Sequence, residues 1–230
     1  NEKEMGPYDT IFYPEMGIME SEKGYYFVAA KDNQKYVIIN GKEYGGYDEV
    51  NPKGNCCYHL LLNKNKDFAF SYRNGDKWYI NANGNTYETY QKSGYRFNWF
   101  NLKLMPDGNF YYLSKNGDKT VVFINGKEYA SVDKLFEINM FEGGDFWYLC
   151  ENNDNYFANY NGHELGPFEQ IGYRDSNDKG FCFTYKDGEK WYVMVNGEKR
   201  GPYDETSGYY GVKYTDENRY WYGYKNDDNW

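Results

Sequence analysis

One nine-residue phrase recurs along this 230-residue chain and limits its architecture more than any other feature. It reads NGKEYGGYD at Asn40–Asp48 and NGEKRGPYD at Asn196–Asp204. Looser copies start at Asn83 (NGNTYETYQ), Asn125 (NGKEYASVD) and Asn161 (NGHELGPFE), and the chain opens on NEKEMGPYD at Asn1. The starts at 1, 40, 83, 125, 161 and 196 are separated by 39, 43, 42, 36 and 35 residues. Self-similarity at a period of about 35–45 residues marks a stack of one supersecondary unit, as in solenoids, propellers and arrays.

Ahead of each phrase lies an aromatic segment, starting at Tyr25, Asp67, Asn109, Asp145, Gly180 and Arg219. Its second and fourth positions are Tyr26/Val28, Phe68/Phe70, Phe110/Tyr112, Phe146/Tyr148, Phe181/Phe183 and Tyr220/Tyr222. A period of two with such side chains predicts a strand. The third position carries Phe27, Ala69, Tyr111, Trp147, Cys182 and Trp221, so both faces of the strand are to be covered. A polar turn and another strand follow, as in KWYINA from Lys77, running into Asn-Gly. That dipeptide suits a type I′ hairpin, in which both central residues need positive φ. A further strand leads each unit, as in NLKLM at Asn101–Met105. Four antiparallel strands per unit, apolar on both faces and without helix, predict an all-β fold: a six-bladed β-propeller forming one domain over residues 1–230. The ring is expected to close by the segments near Asn1–Asp9 and Arg219–Trp230 sharing one blade.

The stretch LMPDGNFYYLSKNGDKTVVFINGKEY, Leu104–Tyr129, carries a PDG turn, an aromatic strand and a terminal NG in that order. In this it resembles the WD-like propeller repeats of bacterial exported proteins, the group that includes the periplasmic Tol-system propeller. The resemblance implies a binding scaffold in an extracytoplasmic setting: periplasmic, cell-surface or secreted. The chain shares the YD ending with WG-type repeats, but Lys77–Trp78–Tyr79 lacks their glycine. It shares aromatic strands with choline-binding repeats, but their period near 20 does not fit.

Aromatics make up 22% of residues, which excludes a disordered chain. The formal charge of −9 repels a phosphate backbone, so nucleic acid is not an expected partner. No apolar run reaches the ~18 residues of a membrane span. Cys56, Cys57, Cys150 and Cys182 have no CxxC spacing and the only histidines are His59 and His163, so neither a metal nor another cofactor is indicated. Cys150 and Cys182 fall on opposite strand faces, which can meet in one interface between sheets but about 10 Å apart, beyond disulfide reach. Four free thiols are expected.

Candidate binding residues lie on the leading strands. Ile18, Leu60, Leu102, Ile138, Tyr173 and Val212 form an apolar column, and Lys103, Asn139, Arg174 and Lys213 fall between such positions, flanked by His59, Asn101 and Glu137. In a propeller this strand borders the central channel. Lys103, Arg174 and Lys213 are then placed to hold a small anionic ligand or a protein partner's carboxylate; the competing reading pairs them with acids such as Glu137 and Asp175. The phrase ends give an acidic column (Asp9, Asp48, Asp133, Glu169, Asp204, broken by Gln91), suited to a cation or to bonding its own turn. The aromatic column beside it (Tyr8, Tyr47, Tyr90, Phe168, Tyr203) suits sugar stacking or packing between blades. The motifs GxSxG, HExxH, P-loop and GxGxxG do not occur. The sequence therefore reads as a non-catalytic interaction module without catalytic residues. The alternative is a glycan-binding lectin or carbohydrate-active enzyme using the channel.

Overall fold

The computed structural model describes residues 6–12, 24–50, 52–53, 57–58, 60–92, 102–177, 179–206, 212–214 and 219–225. Among them there is no helix, and the strands form successive antiparallel sheets. The first sheet orders Thr10–Phe12, Tyr26–Lys31, Gln34–Ile39 and Lys42–Tyr47. The third orders Leu102–Leu104, Phe110–Asn116, Lys119–Ile124 and Lys127–Val132. The fourth runs Lys134–Met140, Phe146–Asn152, Asn155–Tyr160 and His163–Phe168, and the fifth Gln170–Ser176, Phe181–Asp187, Lys190–Val195 and Glu198–Tyr203. The second has Phe68–Asn74, Lys77–Ala82 and Asn85–Lys92, with two leading pieces, Glu49–Val50 and Leu60–Leu62, on Phe68–Asn74. Beyond the fifth sheet, Val212–Tyr214 pairs with Tyr220–Tyr222, and Glu205–Thr206 with Tyr224–Lys225.

The recurring Asn-Gly forms the expected turn in five copies. Asn40, Asn83, Asn125, Asn161 and Asn196 have φ of 49, 53, 49, 52 and 47°, and the glycine after each is also at positive φ. That is the type I′ pattern. The asparagine has a second task. Its backbone N–H donates to the carbonyl of the residue that starts the aromatic strand (Asn125 to Phe110, 2.8 Å), and its Oδ1 accepts that residue's N–H (2.9 Å). Tyr25–Asn40, Phe68–Asn83, Phe146–Asn161 and Phe181–Asn196 repeat the exchange, always fifteen residues apart. Glycine at this place would make the turn but lose the side-chain bond.

This spacing corrects one alignment. Tyr25, not Tyr26, is the counterpart of Phe68 and Phe110, so the first aromatic strand is shifted by one residue from the sequence expectation. Tyr26 and Val28 therefore belong to the odd-numbered face, with Ala69 and Trp147. With three aromatics in a row at Tyr25–Phe27, period two had no phase to lock onto.

The chain divides into two compact units, residues 1–117 with 121–130, and 118–120 with 131–230. In the first, Val28, Val37 and Tyr44 pack on Phe68 and Phe70 of the second sheet, and Ala69, Trp78 and Ile80 pack on Phe110 and Tyr112 of the third. In the second, fully buried Trp147 stacks on Phe181 at 4.5 Å, and Cys182, Val193 and Val195 meet Val212, Tyr220 and Tyr222. The rule is the same each time: the odd face of one sheet covers the even face of the next. Burying such large side chains contributes about 1.5–3 kcal/mol each.

Candidate functional site

The leading strands position the candidate cations, and their register separates them. Directly opposed residues on antiparallel strands share a face. Lys103 opposes Tyr111, Asn139 opposes Trp147 and Lys213 opposes Trp221, all third positions of the aromatic strand. Arg174 instead opposes Phe183, a fourth position, and Asp175 opposes Cys182. The column expected to hold Lys103, Arg174 and Lys213 thus contains Asp175 in place of Arg174. The cause is the turn. Asn177 bonds back to Gly180, whereas Met105 and Phe141 bond to Asn109 and Asp145, one residue further on. The shorter turn moves Arg174 to the other face. A bulge between Ile171 and Arg174, where a Cβ on Gly172 would meet Thr184 Oγ1 at 2.3 Å, restores pairing beyond it.

On that face Arg174 meets the preceding sheet. Its Nε lies 3.2 Å from Glu137 Oε2, Ser176 Oγ donates to Glu137 Oε1 at 2.7 Å, and the guanidinium lies over the Phe136 ring. Asn139 Nδ2 donates to the Asn177 carbonyl at 3.0 Å. Arg174 and Asn139 therefore tie two leading strands together. Lys103, in the first unit, is exposed, and the protein around its ammonium lowers its pKa. Lys213, in the second unit, is exposed, and so is Trp221 opposite it at 43%. His59 and Asn101 lie outside the described residues.

Three acids of the column, Asp9, Asp48 and Asp133, bond a neighbouring turn rather than their own. Asp9 Oδ2 accepts the Asp32 N–H (2.9 Å), Asp48 Oδ2 that of Gly75 (2.7 Å), and Asp133 Oδ2 that of Asn153 (2.7 Å). Each acid thus clamps the hairpin turn of the following sheet, twenty or more residues away, a relation that only the assembled sheets bring about. The Asn153 N–H, with Lys119 3.3 Å away, holds the Asp133 carboxyl below its usual range. Among the described residues no group of three or more His, Cys, Asp or Glu is placed to hold a metal. The aromatic column packs between sheets: Tyr47 stacks on Tyr72 at 4.0 Å, Phe168 lies 4.3 Å from Tyr185 and Tyr203 4.4 Å from Tyr224.

Cys150 and Cys182 are free, buried thiols pushed up to about 12 by burial. They do not share an interface. Trp147 and Leu149 meet Phe181 and Phe183 there, while Cys150 points away and Cys182 packs against Val212. Cys56 lies outside the described residues, as does the side chain of Cys57.

No protein-family model matches the chain, and neither does any curated protein. Among solved structures it is similar to a streptogramin B lyase (16% identity, 97% of this chain and 84% of that one, TM-score 0.31). It is also similar to YCF48 bound to a D1 peptide (11% identity, 88% and 76%, TM-score 0.33). A third is virginiamycin B lyase from Staphylococcus aureus (13% identity, 93% and 87%, TM-score 0.32). Likeness this loose carries no argument about activity. No described helix is long and apolar enough to cross a membrane.

Proposed function

We propose that the sheets are blades of a six-bladed β-propeller of the WD-like kind, closed by its two terminal segments. In this reading it is a non-catalytic interaction module that works outside the cytoplasm and holds an acidic group of a protein partner. Closure is supported by the N-terminal phrase. Tyr8 lies against Phe27 as Tyr47 lies against Phe70. Asp9 bonds Ala30 and Asp32 as Asp48 bonds Arg73 and Gly75. Gly6–Asp9 thus docks as the end of a preceding blade would.

The observation that supports the binding role is the register: Lys103 and Lys213 lie at the same place on their leading strands, opposite Tyr111 and Trp221, and both are exposed in a chain of net charge −9. Exposed cations at a repeated position of an otherwise acidic chain attract a carboxylate. Lys213 is the corresponding contact in the second unit. Titration with a glutamate-rich peptide tests this. Lys103→Ala and Lys213→Ala are expected each to weaken binding, with unfolding midpoints close to the parent's. Equal binding by parent and both variants would reject the reading. Exposed Trp221, beside Lys213, favours the glycan-binding alternative; oligosaccharide binding lost in Trp221→Ala, without any peptide binding, would establish that one instead.

A further inference from the structure

The chain contains seven Asn-Gly dipeptides, at Asn40, Asn74, Asn83, Asn116, Asn125, Asn161 and Asn196. Each can in principle lose its side-chain amide spontaneously. The nitrogen of the following glycine attacks the asparagine Cγ and gives up its proton to solvent base. The tetrahedral intermediate expels ammonia and leaves a five-membered succinimide. Water then opens that ring at either carbonyl, giving aspartate or isoaspartate. Two things must be free: the carboxamide, to swing toward the chain, and the glycine N–H, to lose its proton.

Six of the seven are restrained. The five turn asparagines sit in the left-handed region with Oδ1 accepting a strand N–H at 2.7–2.9 Å. Asn125 and Asn161 also donate Nδ2 to Asn109 and Asp145. The Gly84 and Gly162 N–H groups are themselves bonded, to Asn81 and Asn159. Asn74 is outside these turns but falls under the acid clamp. Its Oδ1 accepts the Asp48 N–H at 3.3 Å, and the Gly75 N–H donates to Asp48 Oδ2 at 2.7 Å.

Asn116 escapes both devices. It ends the strand Phe110–Asn116, is exposed, and no hydrogen bond among the described residues holds its carboxamide or the Gly117 N–H. A Cβ on Gly117 would meet nothing within 4 Å, so water and an added backbone methylene both have room. The reason lies in the repeat: the phrase that supplies Asp48 to the second sheet supplies Gln91 to the third. We infer that Asn116–Gly117 is a self-modifying site, at which the folded protein converts one asparagine selectively to aspartate and isoaspartate.

Incubating the intact protein in mildly alkaline buffer and mapping its peptides by mass spectrometry tests this. Asn116 is expected to deamidate about tenfold or more faster than each of the other six, a barrier difference of about 1.4 kcal/mol or more. In guanidinium the seven rates should converge. Gln91→Asp, which offers the missing clamp, should slow Asn116 and leave the others unchanged. A native rate at Asn116 no higher than the rest, or a preference for it that persists after unfolding, would overturn the inference. An unchanged rate in Gln91→Asp would overturn its stated cause.

Discussion

Glu137 holds Arg174 across two sheets, Oε2 to Nε at 3.2 Å, while its other oxygen accepts from Ser176. Both charged side chains are partly open to water, Arg174 at 40% and Glu137 at 26%. A double-mutant cycle on Glu137→Ala and Arg174→Ala is therefore expected to give a coupling of about 1 kcal/mol or less. Because Arg174 is committed to this pair, Arg174→Ala should leave peptide binding at the level of the parent protein. A loss matching that of Lys103→Ala would return Arg174 to the binding column.

Asn125→Ala removes a side-chain acceptor from the Phe110 N–H and puts a residue that disfavours positive φ into the turn. The two effects together are expected to cost about 1–3 kcal/mol in chemical denaturation. Asn125→Gly keeps the turn and loses only the bond, so it should fall between the parent and the alanine variant. A glycine variant as unstable as the alanine one would show that the turn conformation contributes little.

Acid should loosen the clamps. The Asp133 carboxyl is held low by the Asn153 N–H and then by Lys119. A group depressed in the folded state stabilises above its unfolded pKa of about 3.9, and that contribution is lost as pH falls through the folded value. Asp133→Asn should flatten the acid limb of the stability curve below about pH 4 and leave its shape near neutrality unchanged. A parallel acid limb in both proteins would show that the clamp is not sensed by titration.

Cys150 and Cys182 should resist alkylation while the protein is folded. Their thiols, pushed up to about 12, stay protonated near neutral pH and are shielded from reagent. Thiol counting before and after denaturation checks this: both cysteines should label only on unfolding. Rapid native labelling at either would mean that its sheet opens readily.

The sequence made the repeat, the strand alternation and the Asn-Gly turns legible because each rests on local chemistry: positive φ, period two, a polar turn. Two registers were not legible. At Tyr25–Phe27 consecutive aromatics suit either face, and only the bond from Tyr25 to Asn40 selects one. At Arg174 the shift comes from a turn shortened by one residue and a bulge at Gly172–Tyr173, and backbone hydrogen bonds alone report either. The acid clamps were hidden for another reason. Asp48 and Gly75 are twenty-seven residues apart, in segments that meet only after two sheets have formed.

The fifteen residues from each aromatic strand to its Asn-Gly never vary, whereas the phrase starts drift between 43 and 35 apart. That slack falls between one Asn-Gly and the next aromatic strand, where the turn is a residue shorter at Asn177–Gly180 and the leading strand is one piece at Lys134–Met140 but split at Val50 and Leu60 in the second sheet. Each unit is thus a hairpin of set gauge on an adjustable hinge. Foreign loops spliced between Val50 and Leu60 should be tolerated, while a single residue added between Phe68 and Asn83 would break the lock that defines the unit.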